Sequence, residues 1–175
     1  LSQAEHGTDS QVILITTSEE MLEKVQAEVD LQLIKLTRKD IAAKSLENSK
    51  LILVNNKEEA MDLSNAYAPE HLIIETLDYA ELSKNVINAG SVFLGSYTPE
   101  SAGDYASGTN HTLPTHGYAM AYNGVNLDSY NRKVTFQEIT PEGIRQIGNA
   151  VEIMAENEHL DAHKNAMKLR VDDVK

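Results

Sequence analysis

The stretch "AYAPEHLIIE", residues 66–75, sets a glutamate and a histidine side by side between a proline and an apolar run. Pro69 disfavours the helical region at Ala68, so a helix should end there. Leu72, Ile73 and Ile74 then read as a short buried strand. Glu70 and His71 are side-chain types of general acid–base chemistry, and the mouth of a strand entering a core is an odd place for two uncompensated charges. Metal chemistry is open too, within limits. The chain has six histidines and no cysteine, so a transition ion would use His, Asp, Glu or carboxamide oxygen.

Gln3 and His6 are three residues apart, and on a helix both point the same way. That pair could serve a metal, although a solvated helix face is the default reading. Asp104, beside Gly103, reads first as a turn residue. His111, in "SGTNH", is either a loop ligand or simply exposed. His163 shares a face with Leu160 and Met167, where a hydrogen-bonded core or interface histidine is the ordinary reading. Ligands of open α/β sheets gather outside the carboxyl ends of the strands. Glu70–His71 precedes its strand, so that rule does not place it at a site.

The elements that must position these residues alternate. "QVILIT" (11–16), "LILV" (51–54), "LIIE" (72–75) and "SVFLG" (91–95) read as strands covered on both faces. Between them, Thr17 with Glu20 forms a capping box opening a helix whose stripe includes Met21, Val25 and Val29. Further helical stretches fall at 38–48, from Asn56–Glu59 to Tyr67, and at 78–88. Strands separated by helices in this order predict a mostly parallel sheet flanked by helices, an incomplete Rossmann-like α/β fold. Residues 96–117 form a long polar loop with one helical turn after Pro99, and loops of this length are usually functional. "VTFQEI" (134–139) is a strand or an extended link. Thr140–Pro141 then supplies an N-cap and a proline at the first helical position. Ile144, Ile147, Val151 and Met154 recur at helical spacing over 141–157, and a last helix covers 160–170. Two regions result: an α/β region over 1–125 and a helical arm over 126–175.

Bulk properties exclude several classes. Hydrophobic residues make up 41% of the 175, enough for a core, and the net charge of −12 argues against nucleic acid or an anionic membrane surface as partner. No window approaches the roughly 18–20 apolar residues of a membrane span. The absence of cysteine suits a cytoplasmic location. "LSQAEHG" reads like the end of a helix already in progress, as expected for part of a longer protein.

"NAYAPEHL", "NAGSVFLGSYTPESAGDYASGTNHTLPT", "ENEHLDAHKNAMKLR" and the opening "QAEHG" resemble the signature segments of histidinol dehydrogenase. The similarity runs from residue 1 to about 170 and concerns the C-terminal part of that family. The N-terminal half, with most nicotinamide-dinucleotide contacts and a substrate-binding serine, has no counterpart. The resemblance implies a zinc enzyme that oxidises L-histidinol to the aldehyde and then to L-histidine, using NAD twice. It implies Gln3, His6, Asp104 and His163 as zinc ligands, Glu70 and His71 as the catalytic acid–base couple, and His111 and Glu158 as further substrate contacts. Gln3, His6, His71, Asp104 and His163 would also face the substrate. It implies a homodimer whose C-terminal arms swap, bringing Glu158 and His163 to the partner's site. Cofactor contacts stay unassigned, because no glycine segment follows the strand–GxGxxG–helix pattern of a dinucleotide fingerprint. Two rivals remain open from the residues alone: an α/β module that binds a small cationic ligand, and a metal-dependent hydrolase using the same side chains.

Overall fold

A computed structural model describes residues 1–174 as two compact units, Leu1–Tyr130 and Asn131–Lys175. The first unit is α/β. In order, β1 (Ile13–Thr16) leads through α1 (Glu19–Leu33) and α2 (Lys39–Leu46) to β2 (Lys50–Leu53). Next, α3 (Lys57–Tyr67) leads to β3 (His71–Ile74), and α4 (Tyr79–Leu82) with one 3-10 turn leads to β4 (Ser91–Leu94). β1 pairs with β2 and β3 with β4, both in parallel, with Ile13 opposite Lys50 and His71 opposite Ser91. Parallel pairing needs a long crossover, and the helices provide it. The strand order and fold class agree with the reading from sequence; the strands form two separate pairs.

Local signals explain most boundaries. Asn56 caps α3 by accepting from the Glu59 amide at 2.8 Å, and the Glu59 carboxylate reaches back to the Asn55 amide at 2.7 Å. That is the reciprocal arrangement of a capping box, displaced by one residue. For α1 the cap is Ser18, not Thr17: Ser18 Oγ accepts from the Met21 amide at 3.3 Å. Helix α3 stops at Ala68, which adopts the left-handed region (φ 52°, ψ 65°) ahead of Pro69. The helix expected over 78–88 shortens to one turn. Asn65 donates to the Asn85 carbonyl at 2.9 Å and accepts from the Ile87 amide at 2.8 Å, taking those backbone groups out of a helical ladder.

The core of this unit is small and built around Ala4, Ala42, Val54, Met61, Ala68, Ile74 and Phe93. Buried Ser45 donates to the Ser10 carbonyl at 2.9 Å, and Ser49 Oγ accepts from the Val12 amide at 3.0 Å, which pins the end of α2 to the entrance of β1. After β4, α5 (Glu100–Tyr105) follows Pro99, and two 3-10 turns end the unit.

The second unit is a helical hairpin, α6 (Pro141–Asn157) and α7 (Asp161–Asp173). Thr140 caps α6 by accepting from the Gly143 amide at 3.1 Å, with Pro141 at the first position. Gly148 lets the α7 side chain of Val171 lie directly against the α6 backbone. Residues 134–139 are an exposed link without strand pairing, with Phe136 93% exposed. No helix of the described residues is long and apolar enough to cross a membrane.

Candidate active site

The Glu70–His71 pair is placed by backbone, at the first rung of the β3–β4 ladder. The Ser91 amide donates to the Glu70 carbonyl and the Gly90 amide to the Pro69 carbonyl, both at 2.9 Å. Gly90 is required there, since a Cβ would stand 2.6 Å from the Glu70 carbonyl oxygen. The His71 ring leans on Phe93 of β4, with centroids 5.8 Å apart and planes at 33°. Phe93 is buried and has α5 on its edge: a Cβ on Gly103 would meet its ring at 2.7 Å. Strand and short helix are therefore packed through one aromatic ring.

That packing brings α5 over the mouth of β3. Glu100 and Asp104, one turn apart on α5, join His71 so that one ligand atom from each lies within 4.8 Å of the others. Glu100 is only 4% exposed, and its carboxylate accepts from Ser2 Oγ at 3.0 Å. Ser2 belongs to the N-terminal turn that also carries Gln3 and His6, so this contact brings the chain's start to α5. Glu100 was not singled out by sequence. Its four-residue spacing from Asp104, on the helical turn expected after Pro99, is the signal that points to it.

The remaining expected residues are placed as follows. Gln3 is half-buried, and its amide nitrogen is buried without a hydrogen-bond partner, as is His71 Nε2. His6 is exposed, and its carbonyl accepts from Arg38 at 3.3 Å. His111 is exposed in the loop after α5. Glu158 and His163 belong to the second unit, Glu158 as the C-cap of α6 and His163 in the first turns of α7, both exposed. His163 is therefore not a core histidine of its hairpin. Beside the ladder, an open cleft of about 720 Å³ is lined by Gly90, Ser91, Thr109, Asn110 and Tyr130, among others.

The donor set fits a divalent cation of the zinc type. Among the described residues neither Glu100 nor Asp104 is ion-paired with a lysine or arginine. Two carboxylates this close repel unless a cation neutralises them. The buried Gln3 and His71 nitrogens have no protein partner and are available to a bound group. Amide nitrogen and oxygen exchange places on a flip, so the buried Gln3 position can equally offer a carbonyl oxygen.

This α/β unit brings a histidine and two carboxylates together at the mouth of a parallel strand, a donor set of the kind that can hold a metal ion. The chain is a member of the histidinol dehydrogenase family, whose model matches residues 1–171. The histidinol dehydrogenase of Bacteroides fragilis (strain YCH46) is 66% identical over 175 residues, covering 100% of this chain and 41% of that protein. The histidine biosynthesis trifunctional protein of Saccharomyces cerevisiae is 51% identical over 173 residues, covering 98% of this chain and 22% of that one. The crystal structure of histidinol dehydrogenase from Elizabethkingia anophelis superposes with a TM-score of 0.89 at 51% identity, over 99% of this chain and 40% of that chain. The chain thus spans well under half the length of these relatives.

Proposed function

We propose that the chain acts as the C-terminal part of a histidinol dehydrogenase, an alcohol and aldehyde oxidoreductase of histidine biosynthesis. The substrate is L-histidinol, oxidised through L-histidinaldehyde to L-histidine with NAD as hydride acceptor at each step. Family membership supports this, and so does one observation: ligand atoms of His71 and Asp104 lie within 4.8 Å of each other beside the buried Glu100 carboxylate, as a base next to a cation ligand would.

Gln3, His6, Asp104 and His163 would hold zinc. When bound, zinc supplies a fixed positive charge that orients a nitrogen-rich substrate. His71 takes the hydroxyl proton as hydride departs from the adjacent carbon, a task suited to an imidazole near neutral pH. In the second oxidation water adds to the aldehyde, and Glu70 draws off its proton. Both groups sit on one ladder-pinned segment, so a single stiff support serves both steps. His111 and Glu158 contact the substrate. Residues 1–125 form the catalytic region and 126–175 the arm. The arm reaches a second copy, giving a homodimer in which Glu158 and His163 complete the partner's site. The apolar face of α6, with Ile147 42% and Met154 63% exposed, supports this. The enzyme works in the cytoplasm.

The test is NAD reduction by the full-length enzyme on adding L-histidinol, before and after zinc is stripped by a chelator. Zinc-dependent NADH formation is expected, and none from the 175-residue chain by itself. Zinc-dependent hydrolysis of esters or amides without NAD reduction would replace the dehydrogenase by a hydrolase.

A further inference from the structure

A hydrogen bond of Glu100 joins segments 98 residues apart, and neither the acid–base pair nor the proposed ligand set uses this side chain. Its exposure is 4%, and its carboxylate accepts from Ser2 Oγ at 3.0 Å. Ser2 is exposed and precedes Gln3, so the bond fixes the turn that presents Gln3 and His6. On the same helix face Asp104 follows one turn later, and His71, whose Nε2 is buried and unpartnered, belongs to the same cluster.

A buried carboxylate that met only a serine hydroxyl would be an expensive structural tie, since one neutral donor offsets little of the loss of water. A glutamine would hold the same hydroxyl at lower cost. The negative charge needs another purpose, and the nearest one is a cation at Asp104. We propose that Glu100 is a positioning residue for the metal: it holds the Gln3–His6 turn against α5 through Ser2, and its charge strengthens cation binding at Asp104. This rests on the zinc reading above. Glu100 is itself one of the three clustered residues, and the role assigned to it is this tie and its charge rather than a ligand bond, because its Oε2 is engaged with Ser2 Oγ.

Outer-shell partners of metal ligands typically contribute 10- to 100-fold in affinity. Glu100→Gln keeps the shape and the acceptor for Ser2 while removing the charge. In the metal-free full-length enzyme its unfolding midpoint should equal or exceed that of wild type, and zinc affinity, measured by competition with a chromogenic chelator, should fall by about 10- to 100-fold. Ser2→Ala, with folding verified from its unfolding midpoint, should weaken zinc by roughly three- to tenfold by freeing the turn. A Glu100→Gln protein that binds zinc within twofold of wild type overturns the role of the charge, and an unchanged affinity in Ser2→Ala overturns the tie. If Glu100→Gln fails to fold, the Ser2→Ala measurement decides alone. A wild-type enzyme that takes up no zinc removes the metal reading itself, and this inference with it.

Discussion

Replacing Gly90 with alanine tests whether the acid–base pair is placed by the ladder beneath it. A Cβ on Gly90 would stand 2.6 Å from the Glu70 carbonyl oxygen and 3.3 Å from both the Glu70 carbonyl carbon and Leu113 Cβ. The first obstacle is backbone, so no change of rotamer relieves it. Relief means opening the two 2.9 Å bonds that the Gly90 and Ser91 amides make to Pro69 and Glu70. Each is worth about 0.5–1.5 kcal/mol net, so the strain falls at about 1–3 kcal/mol. Gly90 is not among the glycines with positive φ, so alanine has no conformational penalty there and gains about 0.4–1 kcal/mol by restricting the unfolded chain. The expected net loss is about 1–2 kcal/mol by denaturant unfolding of the metal-free protein. Displacing Glu70 and His71 by even a fraction of an ångström should also lower turnover of the full-length enzyme by at least roughly tenfold. Gly7→Ala is the control. Its Cβ would lie 2.7 Å from Asp9 Oδ1, the mobile end of an exposed side chain, and it should stay within about 0.5 kcal/mol of wild type. Gly90→Ala as stable as wild type, or both variants equally destabilised, would refute the argument.

In the full-length enzyme Glu70→Gln should retain zinc and lose mainly aldehyde oxidation, while His71→Asn should slow both oxidations by about 10²- to 10⁴-fold; separate assays on histidinol and histidinaldehyde with zinc quantified check this. Thr140→Ala removes the acceptor 3.1 Å from the Gly143 amide and should destabilise the α6–α7 hairpin by about 1 kcal/mol, read from thermal loss of helical circular dichroism. The Asn55 amide and side chain hold the Glu59 carboxyl below its ordinary 4.5, so the α3 cap contributes stability above that value and loses it as pH falls through the lower folded value. Wild type should therefore lose its stability advantage over Glu59→Gln on acidification below about pH 4.5, and a pH-independent difference in unfolding midpoint would contradict the cap.

Elements set by local chemistry were legible in the sequence. Apolar runs marked all four strands to within a residue or two, and Asn56 and Thr140 announced their helices because a cap bond is made within three residues. What failed was decided at longer range. Asn65 is a helix residue by sequence, yet it also breaks the helix expected after residue 78, and nothing in "LDYAELSKNVIN" reveals that competitor. "VTFQEI" alternates like a strand, but among the described residues no strand pairs with it. At the site, Glu70 and His71 stood out because charge before an apolar run is conspicuous. Glu100 did not, because its meaning comes from its burial, from Ser2 and from the short helix α5, none of which has a local signature.

Both strand pairs are only two strands wide, and Leu51, Leu53, Ile73 and Val92 are 41%, 48%, 50% and 37% exposed. Among the described residues no further strand pairs with their outer edges, which lie beside apolar side chains and offer a template onto which another copy can add a strand. The net charge of −12 keeps copies apart at low ionic strength. That repulsion acts over about 10 Å at 0.1 M salt and about 3 Å at 1 M, whereas edge pairing is short-ranged and unscreened. Colloidal stability of the isolated chain therefore runs opposite to the usual laboratory habit: added salt, often a remedy for stickiness, is the condition under which these edges meet.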